Sequence, residues 1–335
     1  MASLSVCIAN YQGSAVIRAC LDSVLAQQTD FRVEILVHDD CSSDGSADTV
    51  AAEYPGVTLI RSEENVGFCV SNNRLVEAAS GDHILLLNND ASLRSGALQA
   101  LHDYAVNHPG AGILSLPQYR KDDGELVDRG QFLDLFNNVI PNTDSQQREV
   151  ATVMASCLWI RRSLWQDIGG FPEWFVSIAE DTYLCSVCRL MGKTVEVLPG
   201  PGYDHVVGGS FGGGKVVESG LSTSYARRSL SELNKNRVMT MCYPGPWQLP
   251  ALLVHLPLLL IEGLLLSLLK RSPDPLLRIY WPSVAGVLND LGRLGRERRR
   301  VQQLRRIGAG EFFSLFRWRH QKLALLLRYG IPRIN

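Results

Sequence analysis

Short apolar runs alternate with amphipathic stretches along most of this chain. Residues 3–9 (SLSVCIA), 33–37 (VEILV), 57–60 (VTLI), 83–87 (HILLL) and 111–116 (AGILSL) have the length and composition of buried strands. Between them, residues 14–28 place Ile17, Leu21, Val24 and Leu25 on one helical face, and 46–53, 68–79 and 95–107 also read as helices. Further on, TVMASCLWI (152–160) and TVEVL (194–198) read as strands, and 178–191 and 216–241 as helices. Residues 117–150 are polar and irregular, a hairpin or a mobile loop, and GGSFGGG (208–214) is a flexible stretch. Strands alternating with helices predict an α/β fold with a doubly wound, mostly parallel sheet flanked by helices. Such sheets bind ligands at the carboxyl ends of their strands.

The pattern changes near residue 243, where the boundary between a domain of residues 1–243 and a helical, apolar and basic region of 244–335 is expected. Residues 249–269 (LPALLVHLPLLLIEGLLLSLL) hold 12 leucines, enough apolar length to cross a bilayer. Pro250, His255, Pro257 and Glu262 argue against crossing. Glu262, Gly263, Ser267 and Lys270 share one helical stripe and leave the other face apolar, which favours a helix lying in the membrane interface over a spanning or a core helix. Residues 312–329 form a second amphipathic segment, with Phe312, Phe316, Leu323 and Leu327 in phase.

Overall charge is near zero, but residues 290–335 carry 12 Lys/Arg against three acids, a balance of +9, leaving −10 for residues 1–289. A basic tail beside apolar faces suits an anionic membrane surface. Aromatic interleaving across a basic groove is lacking, so a nucleic-acid partner is not expected. The eight cysteines are scattered, and Cys185 and Cys188 read as two buried thiols on a helix. With no basic leader before the first strand, they point to a reducing, cytoplasmic compartment.

Four polar clusters carry candidate chemistry. Asp39-Asp40-Cys41-Ser42-Ser43-Asp44-Gly45 follows the second strand, where a carboxylate can accept hydrogen bonds from a nucleobase or ribose; alone, it is equally a capped turn. Asn88-Asn89-Asp90 follows HILLL, where a fixed carboxylate can hold a divalent cation bridging phosphates; alone, it is an Asx turn. Glu180-Asp181 suits a helix start, or a general base for an acceptor hydroxyl. Asp204-His205 offers one further ligand.

Taken in order, NYQGSAVIRACLDSVLAQ, EILVHDDCSSDGS, ENVGF, GDHILLLNND, GGFPEWF and EDTYLCSVCRLMG resemble the family 2 glycosyltransferases, from about residue 4 to 210. The resemblance implies a GT-A fold and an enzyme that takes a sugar from a nucleotide-sugar donor. It implies that Asp39 contacts the donor's uracil or thymine, that Asn65 and Gly67 touch nucleotide and sugar, and that Asn73 and Arg74 lie near the donor. Asn88, Asn89 and Asp90 match the DxD motif, with Asp90 a ligand of Mg²⁺ or Mn²⁺ and His205 a second group on the metal or diphosphate. Asp181 matches the catalytic base, and Glu180 the acid that helps to bind the acceptor. The tail resembles the membrane-associating ends of bacterial rhamnosyl and O-antigen transferases of polysaccharide biosynthesis. It implies a lipid-linked or polysaccharide acceptor at the inner face of the cell membrane.

Three positions depart from the pattern: Asn88 replaces the first Asp of DxD, Tyr183 the acid after ED, and Pro172 the Asp of GGFDE. Two other readings remain beside the transferase. A nucleotidyltransferase needs a basic phosphate loop after the first strand, which Asn10–Ser14 lacks. A non-catalytic nucleotide-sugar-binding relative is favoured by Asn88 and opposed by Asp90 and Asp181.

Overall fold

A computed structural model describes residues 3–206, 215–217 and 220–334; the glycine-rich 208–214 lies outside them. The chain divides into two compact units. The first comprises Met1–Gln131, Pro141–Ser177 and Lys193–Val206; the second comprises Phe132–Ile140, Ile178–Gly192 and Val207–Asn335. This division is drawn differently from the expected boundary at 243.

In the first unit, the apolar runs become β1 (Leu4–Asn10), β2 (Val33–Asp39), β3 (Thr58–Arg61), β4 (His83–Leu87), β6 (Ala111–Ser115), β11 (Cys157–Arg161) and β12 (Thr194–Val197). They form one sheet in the order β12-β6-β11-β4-β1-β2-β3. β1 pairs in parallel with β2 and β4, β2 with β3, and β6 with β12, whereas β11 is antiparallel to both β4 and β6. The sheet is therefore mixed but mostly parallel. All of HILLL is buried, as a central strand covered on both faces requires.

Helices α1 (Ile17–Leu25), α2 (Ser46–Glu53), α3 (Phe68–Ala78), α4 (Ala97–Asn107) and α5 (Arg162–Ile168) complete the unit. Val16 and Ile17 donate their backbone N–H groups to Gly13 O, so a turn occupies 13–16 and α1 starts later than the apolar period suggests. Leu25, expected on the inner face, is exposed. α2, α3 and α4 each follow a glycine with positive φ: Gly45, Gly67 and Gly96. A second, four-stranded sheet joins β5 (Ala91–Leu93), β13 (Tyr203–His205), β7 (Gln118–Arg120) and β8 (Leu126–Asp128). The polar 117–150 stretch thus folds as short strands, and the strand expected over 152–160 starts only at Cys157.

The second unit contains most of β9 (Gln131–Asp134) and of β10 (Val139–Pro141), together with β14 (Lys215–Val217), β15 (Gly220–Thr223), β16 (Phe316–Arg317) and β17 (Arg333–Ile334). Its helices are α6 (Glu180–Leu190), α7 (Tyr225–Cys242), α8 (Gln248–Lys270), α9 (Trp281–Asn289), α10 (Leu291–Leu304), α11 (Ala309–Phe313) and α12 (Gln321–Tyr329), with a π-helical turn at Leu276–Tyr280. The helix expected over 216–241 starts at Tyr225, because Ser224 Oγ caps it by accepting Arg227 N–H at 3.2 Å and a hairpin precedes it. The segment 312–329 is not one helix. Phe312 and Phe316 are buried in α11 and β16, while Leu323 and Leu327 of α12 are exposed. Cys185 and Cys188 are buried on α6.

Candidate active site

In the first unit, β1, β2 and β4 run parallel, so their carboxyl ends bring Asn10, Asp39 and the Asn88–Asp90 turn to one edge of the sheet. Asn10 joins them. Its Nδ2 donates to Asp39 Oδ1 at 2.8 Å and to Ser46 Oγ at 2.9 Å, and its Oδ1 accepts from Asn89 Nδ2 at 2.9 Å. Asp39 Oδ2 accepts Ser42 N–H at 3.0 Å. Each carboxylate oxygen retains a lone pair beyond these bonds. A Cβ at Gly13 would collide with Asn10 Oδ1 and lie 2.6 Å from Asn89 Nδ2, so glycine is required there for Asn10 and Asn89 to pair.

Asp40 holds the ENVGF loop: its two oxygens accept Val66 N–H at 2.7 Å and Gly67 N–H at 2.9 Å. Asn65 Nδ2 lies 3.4 Å from Asp40 O. Gly67 has φ +85°, and a Cβ there would meet Val176 Cγ1 at 3.1 Å, so this loop stays open only with glycine. Asn73 spends its amide on the Gly169–Phe171 turn, donating to Phe171 O at 2.9 Å and accepting Phe171 N–H at 3.0 Å. Arg74 is exposed, with Nη1 3.3 Å from Ser62 Oγ and 3.5 Å from His38 Nε2. Asn10 was not singled out in the sequence, and Asp40 was named only as part of its cluster, without a role; a polar residue ending an apolar strand three positions before a glycine was the available signal for Asn10.

His205 reaches the same edge because β13 pairs antiparallel with β5, setting His205 opposite Ala91, next to Asp90. Asp90 and His205 are both buried, and His205 Nε2 lies 3.0 Å from Asp90 Oδ1 and 3.4 Å from Asn88 Nδ2. Asp90 Oδ1 faces that ring nitrogen without a hydrogen-bond partner. A buried carboxylate oxygen without a donor, facing a ring nitrogen, is a donor set that fits a divalent cation. No group of three or more His, Cys, Asp or Glu is placed to hold a metal ion among the described residues, so the other ligands would be phosphate and water.

In the second unit, α6 begins at Glu180 directly after Ala179, which has φ +68°. Glu180 is buried and its Oε2 has no hydrogen-bond partner. Burial, and then the charge of Asp181, push its carboxyl up to about 8, with Arg227 pulling the other way. The shift favours the protonated carboxyl, which can donate a hydrogen bond. Asp181 is only partly buried, and its Oδ1 accepts Thr182 N–H at 2.6 Å. Asn234 Nδ2 donates to Ile178 O at 2.8 Å and fixes the approach to this pair. Tyr183, at the position of the missing acid, is buried with its hydroxyl 2.6 Å from Arg300 Nη2.

A mostly parallel sheet thus carries a polar edge, with an Asx-Asx-Asp turn after its central strand. Residues 5–169 match the profile of Glycosyl transferase family 2. These residues are a family 2 glycosyltransferase domain. An N-acetylglucosaminyl-diphospho-decaprenol L-rhamnosyltransferase of Mycobacterium tuberculosis is 27% identical over 191 residues, covering 48% of this chain and 62% of that protein. An uncharacterized glycosyltransferase of Haemophilus influenzae is 36% identical over 189 residues, covering 56% of this chain and 62% of that protein. The chain thus spans less than two thirds of the length of these relatives. A mannosyltransferase from Pyrobaculum calidifontis, solved in complex with GDP-Man and Mn²⁺, superposes with a TM-score of 0.52 at 17% identity over 86% of each chain. That likeness shows the shared GT-A fold.

Proposed function

We propose that the chain is an inverting, metal-dependent glycosyltransferase that moves a sugar from a UDP- or dTDP-sugar to the hydroxyl of a lipid-linked or polysaccharide acceptor. We put dTDP-rhamnose first among the donors and the inner face of the cell membrane as the place of action. The observation that carries the reading is the buried Asp90 carboxylate oxygen, unpartnered and 3.0 Å from His205 Nε2 at the end of the central strand. The rhamnosyltransferase named above acts, by its name, on a diphospho-decaprenol saccharide, which supports the donor and the lipid-linked acceptor.

On this reading, Asp39 accepts from the imide N–H of uracil or thymine, and Asn10 orients it. Asn65 and Gly67 line the nucleotide loop that Asp40 holds open, with Asn73 and Arg74 behind it. Asn88 and Asn89 supply amides near the ribose and phosphates. Asp90 and His205 would hold Mg²⁺ or Mn²⁺, which supplies positive charge beside a departing diphosphate. Asp181 takes the proton from the acceptor hydroxyl. The acceptor oxygen then bonds to the anomeric carbon as the bond to the nucleoside diphosphate breaks, in one in-line displacement that inverts that carbon. Protonated Glu180 donates a hydrogen bond to the acceptor.

The test is nucleoside-diphosphate release from a panel of nucleotide sugars, with and without Mn²⁺ or Mg²⁺, using membrane lipid extract as acceptor. Cation-dependent release from one donor supports the reading and identifies the sugar. Tight nucleotide binding without release from any donor favours the non-catalytic relative.

A further inference from the structure

Helix α8 divides cleanly by exposure. His255, Leu259, Gly263 and Leu266 face the unit's interior. Every exposed position from Gln248 to Lys270 is leucine, isoleucine, valine or proline, with Leu253 74% exposed and Leu268 66%. The apolar surface continues beyond α8: Leu260 and Leu264 line an open notch of about 300 Å³ with Leu276, Leu277 and Trp281. An unbroken apolar surface of this extent marks a protein or membrane contact.

We propose that this face docks on the surface of an anionic phospholipid bilayer, with α8 lying in the headgroup–acyl boundary and not crossing it. Its rim carries the charge such a surface attracts. Lys270 and Arg271 end the helix and exposed Arg278 follows Leu277, with Asp274 the one acid between Lys270 and Trp281. Trp247 and Trp281, both exposed, are residues that settle at the water–lipid boundary.

The interior face of α8 forbids a crossing. Glu262 is tied by Lys322 Nζ at 2.8 Å, Arg228 Nη2 at 3.0 Å and Tyr280 OH at 2.7 Å. Gly263 packs so closely that a Cβ would meet Tyr280 Cδ2 at 2.8 Å. His255 stacks on Phe136 with ring centroids 4.5 Å apart. Moving α8 into the hydrocarbon would break these contacts and leave Glu262 in lipid without its partners. The helix does have the length and composition of a span, but its other side is already committed to protein.

This inference rests on the membrane partner of the proposed function and not on its chemistry, so vesicle binding tests it apart from transfer. The full chain is floated with phosphatidylcholine vesicles, with and without phosphatidylglycerol, beside the double variant Leu253→Gln/Leu268→Gln. Both leucines are exposed, so the variant should keep its circular-dichroism spectrum and nucleotide affinity. Binding that requires phosphatidylglycerol and weakens about tenfold in the variant supports the proposal. Equal binding by both proteins overturns it, as does no binding by the wild type. A wild-type dimer that the variant dissolves makes the occupant a second copy, and membrane protein resistant to alkaline carbonate makes α8 a span; either result also overturns it.

Discussion

The Asn10 side chain bonds to Asp39, Ser46 and Asn89 on three different segments, and its geometry depends on Gly13 lacking a side chain. Gly13→Ala should push Asn10 off Asn89, weaken binding of the donor nucleotide and lower stability by roughly 1–3 kcal/mol, read by calorimetric titration and thermal melting. Glu180 yields a pH prediction. Its folded carboxyl holds its proton up to about 8, against an ordinary 4.5. The folded state therefore binds more protons between those values, and stability falls as pH rises from about 4.5 to about 8. Glu180→Gln removes that slope, so the variant's melting temperature should gain on the wild type's between pH 5 and pH 8.5. Asp39 and Asp90 were legible as polar residues ending apolar runs. The joining roles of Asn10 and Asp40 were not, because their partners lie tens of residues away in sequence.

At the scale of elements, the entry to α6 is strained. Val176, Ile178 and Ala179 all have positive φ, a region L-residues avoid. Ala179→Gly should relieve its share and stabilise the chain by about 1 kcal/mol in urea unfolding. The α7–α8–α12 contact instead depends on buried charge. Burial alone would raise the Glu232 carboxyl, but Lys235, Lys322 and Arg228 hold it well below the usual range. Glu232→Ala leaves three cations without it and should cost roughly 3–5 kcal/mol by the same measurement. Helices and strands with a clear period were readable; of the stripe read on α8, Gly263 is buried, while the buried His255, Leu259 and Leu266 lie outside it. The break within 312–329 was not, because Phe316 pairs across the chain with Leu133 in β9, and local periodicity carries no such contact.

For the whole molecule, alternation of strands and helices was enough to anticipate a mostly parallel sheet, and the ordered motifs to anticipate the family of residues 5–169. The reversed direction of β11 was hidden, since a run buried on both faces has the same pattern whichever way it runs. Charge separates along the sequence as well: +9 over residues 290–335 against −10 before them. The chemistry is tested most directly at Asp181. Sugar transfer and nucleotide affinity should be measured side by side for the wild type and Asp181→Asn. A fall in turnover of roughly 10²–10⁴ with unchanged nucleotide affinity is the predicted result. Undiminished turnover in the variant would contradict the assignment of Asp181 as the base.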